Sequence, residues 1–181
     1  MLEKAIEYAV QKHSGQMRKG KGVPYIVHPL AVMGWLYRMG ADENLLAAGV
    51  LHDVVEDTDA TIDDIKLLFG DDVAELVAAH TDDKTLEWHE RKRKACDEIK
   101  SLPKRAQMLI LADKLSNIQD MADDYKNIGD KLWERFKFGK EHQSWYYRYS
   151  VKSLDALADG DTKWAFDKYV ELVGAVFKRA E

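Results

Sequence analysis

The sequence predicts an all-α, single-domain fold, and three observations carry that expectation. Apolar residues recur at helical spacing in segment after segment of the 181-residue chain. No stretch alternates apolar and polar residues for long enough to make a strand, and only three prolines interrupt the pattern. Residues 1–181 are expected to form one domain, since a single core typically serves about 100–200 residues. That length leaves no room for a second full catalytic domain.

The first helix is read in "LEKAIEYAVQKH", where Leu2, Ala5, Ile6, Ala9, Val10 and His13 form one stripe. The following "SGQMRKGKGVPYIVHP" carries Gly15, Gly20, Gly22, Pro24 and Pro29, which forbid a continuous helix and predict an ordered, cation-rich loop. Pro29 near a first turn and Gly40 as a stop bound the next helix. Asp42 opens the strongly apolar "DENLLAAGVLHDVV", and Thr61 with Asp64 forms an approximate capping box for "TIDDIKLLFG", which Gly70 ends. "DDVAELVAAHT" and the charged "LEWHERKRKACDEIK" follow as helices. Pro103 begins "PKRAQMLILADKLSNIQDMADDY", with Ala106, Leu109, Ile110, Asp113, Asn117 and Met121 expected on one face. Two amphipathic helices, separated near Gly160-Asp161, complete residues 122–181.

Composition narrows the function classes. With 46% hydrophobic and 33% charged residues the chain reads as an ordinary globular protein. A net charge of −5 argues against general attraction to nucleic acid or anionic membrane, so any polyanionic ligand must meet a local basic patch. The lone Cys96 makes no internal disulfide, no secretory leader pattern opens the chain, and no apolar run approaches the roughly 18 residues that span a bilayer. A cytoplasmic location is the resulting expectation.

The stretch "LHDVVEDT" concentrates the chemistry. His52, Asp53, Glu56 and Asp57 follow an apolar run, and a helix continued this far would stack His52 over Glu56 and Asp53 over Asp57. Ionisable groups buried there must be paired, hydrogen-bonded or metal-bound, because an isolated buried charge costs several kcal/mol. His28, just before Pro29, and Asp113, interrupting the apolar face of "AQMLILADKL", are the further donors. Two imidazoles and two carboxylates suit Mn²⁺, Fe²⁺ or Zn²⁺ better than Ca²⁺. The blander readings are a packed or capping His28 and an Asp113 paired with a lysine or arginine. Asn117, four residues after Asp113, points to a polar cavity on that face.

Over residues 2–121 the chain resembles the HD-domain metal-dependent phosphohydrolases, and within them the stand-alone small alarmone hydrolases that act on guanosine polyphosphates. The likeness rests on co-linear matches: "GQMRKGKGVPYIVHPL", "VLHDVVEDTDAT", "FGDDVAELV", "TDDKTL" with "ERKRK", and "LADKLSNIQDM". It implies an HD-type helical fold in which His28, His52, Asp53 and Asp113 hold one Mn²⁺, with Glu56 and Asp57 as the catalytic pair. Arg18, Lys19, Lys84, Lys114 and Asn117 match the parts that bind substrate. Tyr25 falls in the same register, with packing as open as contact.

The resemblance further implies hydrolysis of ppGpp or pppGpp to GDP or GTP and pyrophosphate, with a small-molecule nucleotide as partner, neither nucleic acid nor membrane, and no oligomeric state specified. Two other functions compete: another HD-type nucleotide phosphohydrolase, such as an NADPH 2′-phosphatase, and a non-catalytic nucleotide-binding module. The intact ligand and acid set argues against the last. Arg91 and Lys92 in "ERKRK" read as an exposed helix face. After Met121 the likeness fades, and "WYYRY" is either the pocket's far wall or core, with Trp145 and Tyr149 assigned to core.

Overall fold

Most expected helices have an identifiable physical start and stop in the computed structural model, which describes residues 1–81 and 85–178. Helix α1 (Leu2–Lys12) buries Ala5 and Ala9. Helix α2 (Val27–Arg38) begins two residues before Pro29, so the proline lies in the first turn, where a missing N–H breaks no helical bond. Helix α3 (Glu43–Leu51) is capped by Asp42, whose carboxylate accepts from the Leu45 N–H at 2.9 Å. Thr61 and Asp64 cap α5 (Ile62–Phe69) reciprocally, the full capping box. Gly70, at φ 91°, ends α5 and opens α6 (Asp71–His80) in a left-handed conformation that glycine adopts without strain.

One element departs from expectation. The helix from Asp42 does not run through "HDVV": it stops at Leu51 and resumes as the one-turn α4 (Val54–Asp57). His52 and Asp53 occupy the break, where the Gly49 carbonyl accepts a hydrogen bond from the His52 imidazole at 2.9 Å. Histidine and carboxylate are therefore placed at a local turn; the Asp53 carbonyl still accepts from the Asp57 N–H at 2.9 Å, so Asp53 and Asp57 keep helical spacing across the break.

Helix α7 (Trp88–Ile99) leads to α8 (Lys104–Ile128), the longest element among the described residues. Every residue of α8 from Ala106 to Ser116 is buried, on all sides of the helix. The expected single apolar face is thus too narrow: Met108, Leu111 and Leu115 are enclosed as well. The helix is central because α2, α3, α6 and α10 (Lys163–Val176) all pack on it. Gly49 lets α3 lie close to α2, since a Cβ there would come within 2.5 Å of Leu36 Cδ1. That approach brings His52 to His28. A 3₁₀ segment (Gly129–Arg135) and α9 (Gly139–Ser153) close the far side, and a short 3₁₀ turn at Gly160–Thr162 separates α9 from α10 as expected. Among the described residues there is no strand beyond an isolated bridge between Met17 and Pro24.

Arg105, in the first turn of α8, ties together the starts of three helices. Its guanidinium donates to Asp72 at 2.6 and 2.9 Å and to the α3 cap Asp42 at 2.8 Å. The Arg105 and Asn44 hydrogen bonds hold the Asp72 carboxyl below its ordinary pKa. Such a contribution is present above the unfolded-state pKa and is lost as pH falls through the lower folded value. Arg105→Met is expected to cost on the order of 1 kcal/mol at neutral pH, given the exposure of the pair. That corresponds to a melting point lower by about 2–4 °C. The gap should narrow below about pH 4. Thermal melts of both proteins from pH 3 to 8 check this; a constant difference across the range would remove Asp72 from the account.

Candidate metal centre and adjoining cavity

His28 projects from the first turn of α2, His52 from the break after α3, and Asp113 from the middle of α8. All three are buried, and their ligand atoms lie within 4.8 Å of one another. His28 Nε2 is 3.2 Å from Asp113 Oδ1, and its Nδ1 is 2.9 Å from Ser116 Oγ. His52 Nδ1 must carry its proton, because its partner, the Gly49 carbonyl, can only accept. In the neutral ring Nε2 is then a bare lone pair, buried and without a hydrogen-bond partner. It faces Asp53 Oδ2 at 2.9 Å and Asp113 Oδ1 at 3.9 Å.

A lone pair directed at carboxylate oxygens is repulsive unless a cation lies between them. The donor set therefore fits a divalent metal, as mixed imidazole and carboxylate sites do. In the absence of a metal the same carboxylates favour a proton at His52 Nε2. Burial pushes the His52 pKa down, but Asp53 and Asp113 overcome it and raise it to about 9. Burial likewise opposes charge on Asp53, yet His52 holds its carboxyl far below the usual range. His28 is held below the ordinary histidine value by burial. Asp53 also faces His28 Nε2 at 3.6 Å and accepts from the Tyr25 hydroxyl at 2.5 Å, so Tyr25 makes a contact as well as packing.

The two oxygens of Asp113 have separate neighbours. Oδ1 accepts from Asn117 at 2.6 Å, and Oδ2 accepts from Lys114 Nζ at 3.0 Å. Burial works against the Lys114 charge, but Asp113 beside it holds the pKa well above the ordinary lysine value. Asn117 in turn accepts from Arg18 at 2.7 Å, and Arg18 is paired with Asp120 at 3.0 Å. The basic loop after α1 is thereby docked onto α8.

This centre forms one wall of a cavity of about 450 Å³. Glu56 and Asp57 line it from α4, Arg91, Lys92 and Lys94 from α7, and Tyr146 and Tyr147 from α9. The reading of Arg91 and Lys92 as an exposed face is corrected: both are partly buried and line the cavity, with α9 packed on α7 and Lys92 Nζ 5.2 Å from the Tyr146 ring centroid. Trp145 and Tyr149 lie outside the cavity lining as expected, Trp145 against Trp88 and His89 and Tyr149 hydrogen-bonded to Asp97. Lys19 departs from expectation. It is exposed and lines a smaller neighbouring cavity with Arg135 and Asp124, which Arg18 and Asn117 separate from the main one. Lys84 lies outside the described residues.

His80 was not singled out in the sequence. It ends α6 with Nε2 3.5 Å from Asp113 Oδ2 and its ring edge-on to His52, centroids 4.8 Å apart. The signal was its position three and four residues after Val77 and Leu76, on the buried stripe of α6. In a sequence alone that spacing fits a packed helix-end histidine equally well.

The HD domain family profile matches residues 5–135. The chain is 44% identical over 119 residues to the guanosine-3′,5′-bis(diphosphate) 3′-pyrophosphohydrolase MESH1 of Drosophila melanogaster, covering 64% of this chain and 66% of that protein. It is 43% identical over 123 residues to the Homo sapiens MESH1, covering 66% and 69%. The aligned part thus spans about two thirds of the curated relatives it matches. Among solved structures, lmo0812 from Listeria monocytogenes EGD-e superposes with TM-score 0.76 at 38% identity, covering 84% of this chain and 99% of that one. A metazoan orthologue of SpoT, described as hydrolysing ppGpp and acting in starvation responses, superposes with TM-score 0.78 at 32% identity, covering 96% of both chains. With the profile covering most of its length and these relatives sharing its fold, this chain belongs to the HD-domain family, in the branch that contains the MESH1 pyrophosphohydrolases.

Proposed function

We propose that this protein is a guanosine-3′,5′-bis(diphosphate) 3′-pyrophosphohydrolase that converts ppGpp or pppGpp and water to GDP or GTP and pyrophosphate. The observation that carries the reading is the pairing, in one cavity, of a buried imidazole–carboxylate centre with a cationic wall from α7. The relatives' described activity supports it.

His28, His52, Asp53 and Asp113 are the residues that would hold a metal, Mn²⁺ in our reading. A bound divalent ion would supply Lewis-acid polarisation of the phosphoryl group and lower the pKa of water. Water attacks the phosphorus attached to the ribose 3′ oxygen, the P–O3′ bond breaks, and the 3′ oxygen leaves as a hydroxyl. One of Glu56 and Asp57, on the cavity wall one turn beyond His52-Asp53, takes up the water proton, and a proton from the pair goes to the departing 3′ oxygen. Arg91, Lys92 and Lys114 neutralise the charge on the departing pyrophosphate. Arg18 and Asn117 fix the wall between the two cavities, Lys19 adds cationic charge beyond that wall, and Lys84 is assigned to substrate binding from the family resemblance. This local clustering reconciles an acidic chain with a polyanionic substrate.

Incubation of the Mn²⁺-loaded protein with ppGpp, pppGpp and NADPH, read by anion exchange, tests the assignment. Pyrophosphate release from ppGpp is expected. Orthophosphate from NADPH with ppGpp untouched would make the enzyme a 2′-phosphatase, and no turnover at all would leave a nucleotide-binding module.

His52→Ala and Asp113→Ala are each expected to abolish metal retention and turnover together, because folding of the site and ion binding are linked. Elemental analysis of the purified variants checks this. Full metal content in both would sink the ligand assignment.

Glu56→Gln and Asp57→Asn preserve volume and remove the base. Turnover should fall about 10²–10⁴-fold in at least one of them, with metal content and melting temperature near those of the parent. Near-normal turnover in both variants would return the pair to a structural role.

A further inference from the structure

We propose that His80 is a positioning residue for the metal centre, holding the outer oxygen of Asp113 and the ring of His52 so that both ligands present their donor atoms. The inference rests on the metal reading above and extends it to a third imidazole.

Asp113 turns Oδ1 toward His28 Nε2, 3.2 Å away, and Oδ2 away from the ligand imidazoles. Oδ2 is held from two sides: Lys114, the next residue on the same helix, at 3.0 Å, and His80 Nε2 from α6 at 3.5 Å. Two torsions place a carboxylate, and Lys114 and Asn117, which donate to its two oxygens, both hold it from its own helix. A clamp arriving from another helix adds a hold from outside, and α6 packs on α8 so as to provide it. A carboxylate oxygen only accepts, so a proton on His80 Nε2 is what makes the 3.5 Å approach favourable. Nδ1 is then the bare nitrogen, and it is buried without a partner. A histidine retained only for packing gains nothing from that arrangement, since an apolar ring would fill the space without a buried unsatisfied atom. The same ring stands at 87° to His52, at a centroid distance of 4.8 Å, and limits rotation of that ligand about its own bonds.

The test compares wild type, His80→Leu and His80→Gln as metal-free proteins titrated calorimetrically with Mn²⁺ alone, alongside their melting curves. Leucine keeps apolar bulk, and glutamine carries an amide N–H to about where Nε2 sits. Loss of an outer hydrogen-bond partner typically weakens metal binding by about 10–100-fold, the result expected for His80→Leu, while His80→Gln should return to within about threefold of wild type. Metal-free melting temperatures should not order the proteins in this way. Wild-type affinity in His80→Leu, equal weakening in both variants, or affinity that merely follows melting temperature would each overturn the positioning role. If wild type takes up Mn²⁺ and His80→Leu does so equally well, only this inference fails; if wild type takes up none, the metal reading fails and this role with it.

Discussion

Asp53 and Asp113 are carboxylates enclosed in a helical core, and the cost of keeping both ionised there organises everything around them. Placed a few ångströms apart in a low-dielectric interior they repel, and each loses most of its hydration. The fold answers with every neighbour it can supply: two imidazoles, the Lys114 ammonium, the Asn117 amide, the Tyr25 hydroxyl and His80. A single divalent charge between His28, His52 and the carboxylates satisfies more of that demand than any proton, which binds at one atom.

Those donors converge because the helices that carry them pack on one central rod. Helix α8 is buried through three turns, so Asp113 meets solvent only through the cavity. Helix α2 delivers His28 from its first turn, and the close approach at Gly49 sets the distance to His52. The same rod carries Lys114 and Asn117 on the side that opens to the cavity. Electrostatic braces at its ends, Arg105 on the starts of α3 and α6 and Arg18 with Lys21 on Asp120 and Asp124, join loop and helix termini that apolar packing alone would leave in weak register.

The break between α3 and α4 shows how a local rule can mislead while its conclusion survives. Helical spacing expected a continuous helix through His52, Asp53, Glu56 and Asp57; the chain turns at His52-Asp53, where the Gly49 carbonyl accepts from the His52 side chain, and Asp53, Glu56 and Asp57 line one cavity. Glu56 and Asp57 then enter the cavity wall from a one-turn helix.

The amino-acid sequence by itself determined the helices, because apolar periodicity, the Thr61–Asp64 box, the Asp42 cap and the Gly70 stop are all local signals. It also marked His28, His52, Asp53 and Asp113, since charge within apolar runs is costly enough to be conspicuous. Tertiary structure decided what no spacing encodes. It brought His80 beside Asp113 from 33 residues away, turned Arg91 and Lys92 inward, and sent Lys19 to a neighbouring cavity. The reason is the same in each case: a surface charge or a helix-end histidine has many acceptable surroundings, and only the packing of one helix against another selects among them.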